Sequence, residues 1–161
     1  MGEDAESCGI FAIFAGATVK FIAIMGDSDI LINFPKIEDP RGNLSYIQYP
    51  DFVPFPIMRA YWVYDVPGGE SREGHAYHEQ QEVIVALSGA FDVMVDDGAE
   101  ERCVHLSRSY YGLLIKPGIW RQLTNFSTNS VALILSSTDY DECDYIRDRE
   151  EFRKLKKEGR L

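Results

Sequence analysis

From Ile30 onward, apolar and polar residues alternate over short runs, a pattern that predicts β-strands. The run MRAYWVYDV is rich in aromatic and β-branched residues, which fit the pleated, half-buried surface of a sheet. Similar runs follow at regular spacing: EVIVALSGAFDVMVDD, ERCVHLSR, YYGLLIKP, WRQLTNFS and SVALILSST. Many short strands at even spacing are typical of an all-β sandwich or barrel.

Turn residues separate these runs. Pro40 and Gly42 mark a turn in DPRGN, Ser88-Gly89 divides two strands, and Asp97-Gly98 ends a hairpin. The chain therefore has strong signals for where its strands stop, as well as for the strands themselves.

The last segment, from about Asp139 to Glu158, is charged and does not alternate. Within it, Tyr145, Phe152 and Leu155 are spaced so that they could form one apolar stripe. We predict a C-terminal helix that packs on the β-structure through this stripe.

The N-terminus carries an apolar run, residues 8–25, interrupted by Lys20 and two glycines. Its acidic leader GEDAES is unlike a signal peptide, and the run is short for a membrane span. It could form a strand or a buried helix. We favour a true translation start at Met25 over a membrane anchor, which divides the chain into an extension, 1–29, and a single domain, 30–161.

The length and net charge of the chain limit the classes of function that it can have. A chain of 161 residues is long enough for one domain with a sizeable core. A formal net charge of −10 argues against nucleic acid as a partner, and an anionic substrate would need a local cluster of arginines. Cys8, Cys103 and Cys143 are odd in number and widely spaced, which indicates reduced thiols in a cytoplasmic protein.

The stretch GESREGHAYHEQQEVIVALSG has the spacing of the first cupin motif, with Gly69, His75, Glu82 and Gly89 in place. Residues two apart in a strand point to the same face, so a His-x-His pair there could aim two imidazoles into a barrel. Tyr77 stands where that motif has its second histidine.

The second cupin motif is matched by KPGIWRQLTNF, in which Gly118 and Asn125 flank Arg121 at the position of the usual third histidine. A protonated guanidinium repels a cation, and only two of four expected ligands remain. We therefore predict an all-β cupin jelly roll, a double-stranded β-helix, with a C-terminal helix and no metal.

Four segments together resemble the sugar-nucleotide 3,4-ketoisomerase family, the FdtA/QdtA-like or WxcM-like cupins: DPRGNLSYI, MRAYWVYDVPGGESREGHA, ALSGAFDVMVDDG and STDYDECDYIR. The resemblance covers the chain from about Asn33 to Phe152. It implies a homodimeric jelly roll that needs no metal or redox cofactor. It also implies a dTDP-4-keto-6-deoxy sugar as substrate, whose ketone moves from C4 to C3 in deoxysugar and surface polysaccharide biosynthesis.

The resemblance also implies site residues. This family has GHAH where the chain has GHAY, so His75 matches its first histidine and Tyr77 the position of its favoured base. Tyr61 matches a tyrosine near the family's active site, as a proton donor or hydrogen-bond partner. A positioned base and a proton donor suffice to pass through an enediol.

If the protein is an isomerase, the tyrosine at position 77 must have a role that is compatible with catalysis. Holding a phenol ionised at neutral pH costs ~4 kcal/mol unless cations lower its pKa, for which Arg59, Arg72 and Arg121 are candidates. Alternatively, His75 is the base and Tyr77 binds the substrate, or the protein makes another product or does no chemistry. We take His75 as the base, with Tyr77 and Tyr61 assisting.

Other polar residues have a binding role or a structural one. Arg41 is a turn residue that resembles the phosphate-contacting arginine of related sugar-nucleotide cupins, and Glu82 could be salt-bridged to an arginine. We expect His78 to point out of the barrel and His105 to be structural or exposed. The candidate substrate-binding residues are Arg41, Arg59, Arg72, Glu82 and Arg121.

Two classes of function remain open. One is an isomerase of nucleotide sugars. The other is a non-catalytic cupin that binds a nucleotide sugar or acts as a partner of another biosynthetic enzyme. In the second case His75, Tyr77 and Tyr61 would be ordinary barrel residues, and Tyr77 would need no chemical explanation.

Overall fold

A computed structural model describes residues 12–14, 17–19, 21–25 and 29–161 of the chain. Most of the N-terminal extension lies outside these ranges, so its origin in a misplaced start site stays a prediction. Where the chain is described, none of its helical segments has the length and apolar character that crossing a bilayer requires.

The described strands form antiparallel sheets. A short hairpin pairs β1 with β2, a larger sheet has the order β3-β4-β10-β7-β12-β5, and another has the order β13-β6-β11-β8-β9. The strands are β1 (Ala12–Phe14), β2 (Ala17–Val19), β3 (Phe21–Met25), β4 (Asp29–Asn33), β5 (Arg59–Tyr64), β6 (Arg72–Tyr77), β7 (Glu82–Ser88), β8 (Phe91–Asp96), β9 (Glu101–Leu106), β10 (Tyr111–Ile115), β11 (Trp120–Thr124), β12 (Val131–Ser136) and β13 (Tyr145–Ile146).

The main core lies between the two large sheets. Strands β7 and β12 contribute Ile84 and Ile134 from one sheet, and β8 and β11 contribute Phe91 and Leu123 from the other. All four are at most 1% exposed, so the apolar faces of the two sheets cover each other. The predicted all-β cupin jelly roll is confirmed.

The larger sheet is also covered on its outer face. Phe34, Val53 and Phe55, from the long connection between β4 and β5, pack there against Val83 and Val85 of β7. A central strand with both faces covered loses its apolar–polar alternation. This explains why β7 is buried without interruption over its first five residues.

The C-terminal helix is shorter than predicted. Helix α1 spans Arg149–Lys157 and begins at Asp148, whose side chain accepts a hydrogen bond from the Glu151 amide. Phe152 and Leu155 pack it on the smaller sheet, as predicted. The prediction that Tyr145 shares this stripe is wrong, because Tyr145 lies in β13 and pairs with Tyr77.

Aspartates explain the late start of the helix. A 3₁₀ turn at Glu142–Asp144 precedes β13, and Asp141 caps it by accepting a hydrogen bond from the Cys143 amide. Asp144 accepts hydrogen bonds from the amides of Glu79 and Gln80. Side chains that bind backbone amides compete with helix formation, so this segment makes turns.

Gly89 shows why the first motif ends in glycine. It joins β7 to β8 with φ at +64°, where a side chain is strained. A Cβ atom there would also lie 2.5 Å from the Ser127 hydroxyl oxygen. The predicted turns at Pro40–Gly42 and Asp97-Gly98 are present as well.

Candidate active site

Polar side chains from both sheets meet in the barrel interior. Tyr61 and Glu82 come from β5 and β7 of the larger sheet, and His75, Tyr77 and Arg121 come from β6 and β11 of the smaller one. Successive side chains of a strand point to opposite faces, so His75 and Tyr77, two residues apart, face the barrel interior together. Arg121 faces the same way because it is the register partner of His75 on the neighbouring strand. We call these five residues, together with Gln80, the inner cluster.

Glu82 is the centre of the inner cluster and is fully buried. Its Oε2 accepts hydrogen bonds from Nε and Nη2 of Arg121 at 3.0 and 2.9 Å. Its Oε1 accepts from the hydroxyls of Tyr61 and Tyr77 at 2.6 and 2.8 Å, and from the Gln80 amide at 3.0 Å. Both carboxylate oxygens are thus occupied by donors, and the predicted pairing of Glu82 with an arginine is confirmed.

These contacts keep Glu82 charged. Burial opposes ionisation, but the Arg121 guanidinium and then His75 hold the pKa of Glu82 below its usual value. Burial would lower the pKa of Arg121, yet Glu82 raises it overall. An ionised carboxylate with all its donors in place has little capacity to take a proton from a substrate.

The two tyrosines of the inner cluster stay protonated. Burial first, and then the negative charge of Glu82, raises the pKa of Tyr61 and of Tyr77 above the ordinary phenol value. Arg121 acts in the opposite direction but does not overcome these effects. This environment opposes an ionised Tyr77, and both phenols are suited to donate hydrogen bonds.

The contacts of Tyr77 determine where His75 carries a proton. The imidazole Nε2 lies 3.0 Å from the Tyr77 hydroxyl oxygen. Tyr77 has one hydroxyl hydrogen and gives it to the ionised Glu82, so His75 Nε2 carries a hydrogen and donates it to Tyr77. In the neutral imidazole the basic lone pair is then on Nδ1.

Tyr145 covers the histidine end of the inner cluster. Its ring lies 5.1 Å from the His75 ring and 4.6 Å from the Tyr77 ring, measured between centroids. His75 is 7% exposed and Tyr77 is 1% exposed. The segment that carries Tyr145, residues 138–147, is fixed by the hydrogen bonds of Asp144 described above. We call it the cover segment.

Arg59 lies at the rim of the inner cluster. Its Nη2 donates to Gln80 Oε1 at 3.2 Å and to the Tyr145 hydroxyl at 3.3 Å. The guanidinium carbon lies 5.1 Å from the centre of the Tyr61 ring and 5.3 Å from that of Tyr140. Arg59 and Glu82 are both register partners of Ser136 in β12, which places them on the same face of the sheet.

The structure does not bring Arg41 and Arg72 into the inner cluster. The Arg41 side chain is 90% exposed and paired with Asp39. Arg72 is exposed at the start of β6 and lines an outer groove with Trp62 and Tyr64. Their predicted role in substrate binding stays a prediction.

Sequence reasoning missed Gln80 and Tyr145. Gln80 is two residues before Glu82 and so shares its orientation, which was an available signal. Tyr145 had no such signal, because its strand has only two residues. His78 is exposed and His105 pairs on the surface with Asp92, as predicted.

The inner cluster does not fit a transition metal. Arg121 binds the carboxylate oxygen that a metal would use, and Tyr77 stands in place of a second imidazole. Within the described residues, no three His, Cys, Asp or Glu side chains are grouped so that they could hold a metal ion. We derive no chemical step through a metal.

A jelly roll with a buried imidazole, carboxylate and phenols defines a cupin-type protein with the groups that acid–base chemistry uses. A family model described as WxcM-like, C-terminal (FdtA) matches residues 27–157. The chain belongs to this family, and the resemblance predicted from its sequence is confirmed.

Relatives with named activities support this family assignment. The TDP-4-oxo-6-deoxy-alpha-D-glucose-3,4-oxoisomerase of Aneurinibacillus thermoaerophilus is 38% identical over 135 residues, which cover 80% of this chain and 97% of the relative. QdtA, a sugar 3,4-ketoisomerase from Thermoanaerobacterium thermosaccharolyticum solved with TDP, is 32% identical, with a TM-score of 0.81 over 85% of this chain and 100% of QdtA. WlaRB, a TDP-quinovose 3,4-ketoisomerase from Campylobacter jejuni, is 33% identical, with a TM-score of 0.76 over 80% of this chain and 98% of WlaRB.

Proposed function

We propose that this protein is a sugar-nucleotide 3,4-ketoisomerase. It moves the carbonyl of a TDP-4-keto-6-deoxyhexose from C4 to C3, in deoxysugar and surface polysaccharide biosynthesis. The observation that carries the proposal is the inner cluster itself: a histidine held by a network of protonated phenols and an ionised carboxylate, in the fold shared with the named isomerases.

His75 is the base in this proposal. Glu82 is occupied by donors, and Tyr61 and Tyr77 are held protonated, which leaves the imidazole as the group of the inner cluster suited to accept a proton near neutral pH. His75 removes the proton on C3, and the C3–C4 enediol forms as a phenol of the inner cluster gives its hydrogen to O4. The protonated His75 then returns the proton to C4, while the hydrogen on O3 passes back to that phenol oxygen and C3 becomes the ketone.

Tyr61 and Tyr77 assist at oxygen. Each phenol gives its one hydrogen to Glu82 in this structure, so a phenol donates to O4 when the substrate oxygen replaces Glu82 as its acceptor. Arg121 and Glu82 hold the two hydroxyls in place through the contacts given above. Arg59 is the binding residue at the rim of the barrel. Arg41 and Arg72 are candidates for binding the negatively charged part of the substrate outside the barrel.

The direct test is incubation of the purified protein with TDP-4-keto-6-deoxyglucose in deuterated water, with NMR detection. We expect a 3-keto product in which a fraction of the molecules carries solvent deuterium at C4, and recovered substrate that carries some deuterium at C3. The same activity should persist after treatment with a chelator, because the proposal uses no metal, redox cofactor or other cofactor. Activity that disappears with the chelator and returns with one metal per chain would overturn metal independence.

The same experiment distinguishes the second class of function. Tight binding of the nucleotide sugar with neither product nor exchange would establish a non-catalytic cupin. The burial of His75 beneath Tyr145 is the observation that favours this alternative.

We further propose a homodimer. Strand β5 is an edge of the larger sheet and presents Trp62 and Tyr64, which are 60% and 59% exposed. Exposed edges with large apolar side chains are usual sites of association. Light scattering at micromolar concentration should give twice the chain mass of 18.3 kDa, and a monomer mass would contradict the proposal.

We also propose a cytoplasmic location. The exposed thiols of Cys103 and Cys143 and the odd cysteine count support a reducing compartment. A nucleotide-sugar substrate is consistent with that location, and the acidic chain is not expected to bind nucleic acid.

A further inference from the structure

The side chain of Gln80 lies between the inner cluster and the rim of the barrel. It is 2% exposed, so its amide must find its partners within the protein. Its Nε2 donates to Glu82 Oε1 at 3.0 Å, and its Oε1 accepts from Thr138 Oγ1 at 2.8 Å and from Arg59 Nη2 at 3.2 Å. The reaction proposed above gives this residue no role.

These partners fix the orientation of the Gln80 amide. If the amide were turned over, its carbonyl oxygen would face the ionised carboxylate of Glu82, and its NH₂ group would face the guanidinium of Arg59. Both contacts would be repulsive, because acceptor would meet acceptor and donor would meet donor. Thr138 and Arg59 therefore hold the oxygen end of the amide, and an N–H is directed at Glu82.

Glu82 receives more hydrogen bonds on one oxygen than that oxygen has lone pairs. Each carboxylate oxygen offers about two lone-pair sites. On Oε2, both sites are filled by Nε and Nη2 of Arg121. Among the residues that the structure describes, Oε1 accepts from three donors, which are the hydroxyls of Tyr61 and Tyr77 and the amide of Gln80. One of these three donors is therefore surplus.

The surplus donor is a phenol and not the amide. A phenol can redirect its hydrogen by rotation about the C–O bond, while its oxygen stays held by Arg121 in the case of Tyr61 or by His75 in the case of Tyr77. Turning the Gln80 amide away from Glu82 would instead break its hydrogen bonds at the other end. The permanent donor on Oε1 is thus Gln80.

We infer that Gln80 is a positioning residue for the isomerisation: its N–H keeps Glu82 Oε1 hydrogen-bonded while a phenol turns its hydrogen from Glu82 to the substrate. This role rests on the proposed function, in which that phenol gives its hydrogen to O4. Gln80 acts through Glu82 and not on the substrate. Without the amide, redirecting a phenol leaves a buried, charged acceptor one hydrogen bond short, which raises the barrier.

The test compares Gln80→Met and Thr138→Val with wild type. Methionine is close to glutamine in length but has no N–H, so kcat with TDP-4-keto-6-deoxyglucose should fall at least about tenfold. KM should change much less than kcat, because the missing hydrogen bond is needed in the transition state. Thr138→Val removes a hydrogen bond at the other end of the amide and leaves the N–H on Glu82, so it should retain most of the turnover.

Gln80→Glu adds a pH-dependent readout, and it replaces Gln80→Met should that variant fail to fold. A protonated carboxyl has a donor and an acceptor, as the amide does, whereas an ionised one has no donor. Glu82 and Asp144, which accepts from the Gln80 backbone N–H, oppose ionisation of the new carboxyl, and Arg59 favours it. The turnover of Gln80→Glu relative to wild type at the same pH should fall as the pH rises from about 5 to about 8. Taking this ratio cancels the ionisation of His75, which both proteins share.

Wild-type kcat in Gln80→Met would overturn the role of Gln80. An equal loss in Thr138→Val would also overturn it, because the amide would then serve to hold the cover segment. A Gln80→Glu ratio that does not change with pH would contradict an N–H donor at this position.

The outcomes separate this role from the proposed function. Turnover by wild type and equal turnover by Gln80→Met would reject the role of Gln80 and leave the isomerase in place. A wild type that binds TDP but forms no 3-keto product would reject the isomerase, and with it any positioning role in that reaction.

Discussion

Replacing His75 by asparagine is expected to lower isomerase turnover by at least about 10²-fold, the usual scale for loss of a general base. Asparagine is smaller than imidazole and cannot accept a proton near neutral pH. The measurement is the initial rate of 3-keto product formation from TDP-4-keto-6-deoxyglucose, with TDP affinity as the check that the site is intact. Binding should change little, because the proposed binding residue at the rim is Arg59.

His75→Gln is the matched control for a structural role. Its longer side chain can place an N–H near the position of Nε2, and so can keep the hydrogen bond to Tyr77. If His75 served only as that donor, His75→Gln would retain most of the activity. If it is the base, both variants should be equally inactive.

Tyr77 completes the series of variants. Tyr77→Phe should cost less than His75→Asn, because it removes a hydrogen bond and not the base. Tyr77→His restores the family pattern, and a gain in activity would identify the natural protein as a weakened or retuned isomerase. An inactive Tyr77→Phe beside an active His75→Asn would show that the roles are assigned the wrong way round.

Replacing Glu82 by glutamine is expected to lower the free energy of unfolding by about 3–5 kcal/mol, the scale for removing one partner of a buried ion pair. Arg121 would be left charged and 4% exposed without its counter-ion. The Tyr61 and Tyr77 hydroxyls would also lose a charged acceptor. Urea unfolding at neutral pH measures the change.

Glu142→Gln is the matched control, because its partner Arg147 forms an ion pair in which both side chains are about half exposed. An exposed pair contributes little because solvent screens it, so this variant should lose much less stability than Glu82→Gln. Similar losses in the two variants would contradict a special role for the buried pair.

The stabilisation by Glu82 should depend on pH. Its pKa in the folded protein lies below the ordinary value of 4.5, so the folded state favours the charged form. The contribution is therefore fully present above about pH 4.5 and is lost as the pH falls through the folded-state pKa. The difference in stability between wild type and Glu82→Gln should shrink as the pH falls below about 4.5.

The strands could be predicted from the sequence because their signals are local. Alternation and turn residues located β5 to β12, and the spacing of His75 and Glu82 located two members of the inner cluster. The pairing of Glu82 with an arginine could also be anticipated, since a buried carboxylate needs a cation. Arg121, at a ligand position of the second motif, was one of three candidate arginines, and the structure pairs it with Glu82.

The remaining features depend on long-range packing. Tyr145 reaches His75 only because its short strand pairs with β6, and its spacing with Phe152 resembled a helical stripe. The exposure of Arg41 and the central position of Gln80 likewise follow from tertiary contacts. Residues that match a motif could therefore be located from sequence, whereas the residues that cover and orient them could not.

The cover over His75 determines the fate of the hydrogen that the base removes. With Tyr145 against an imidazole that is 7% exposed, bulk solvent has little access to the proton while the enediol is bound. Many turnovers in deuterated water should then return the original protium to C4, so that product forms faster than label enters it. The ratio of label to product measures how closed the barrel is during one catalytic cycle. A Tyr145→Ala variant should raise that ratio toward one deuterium per product molecule.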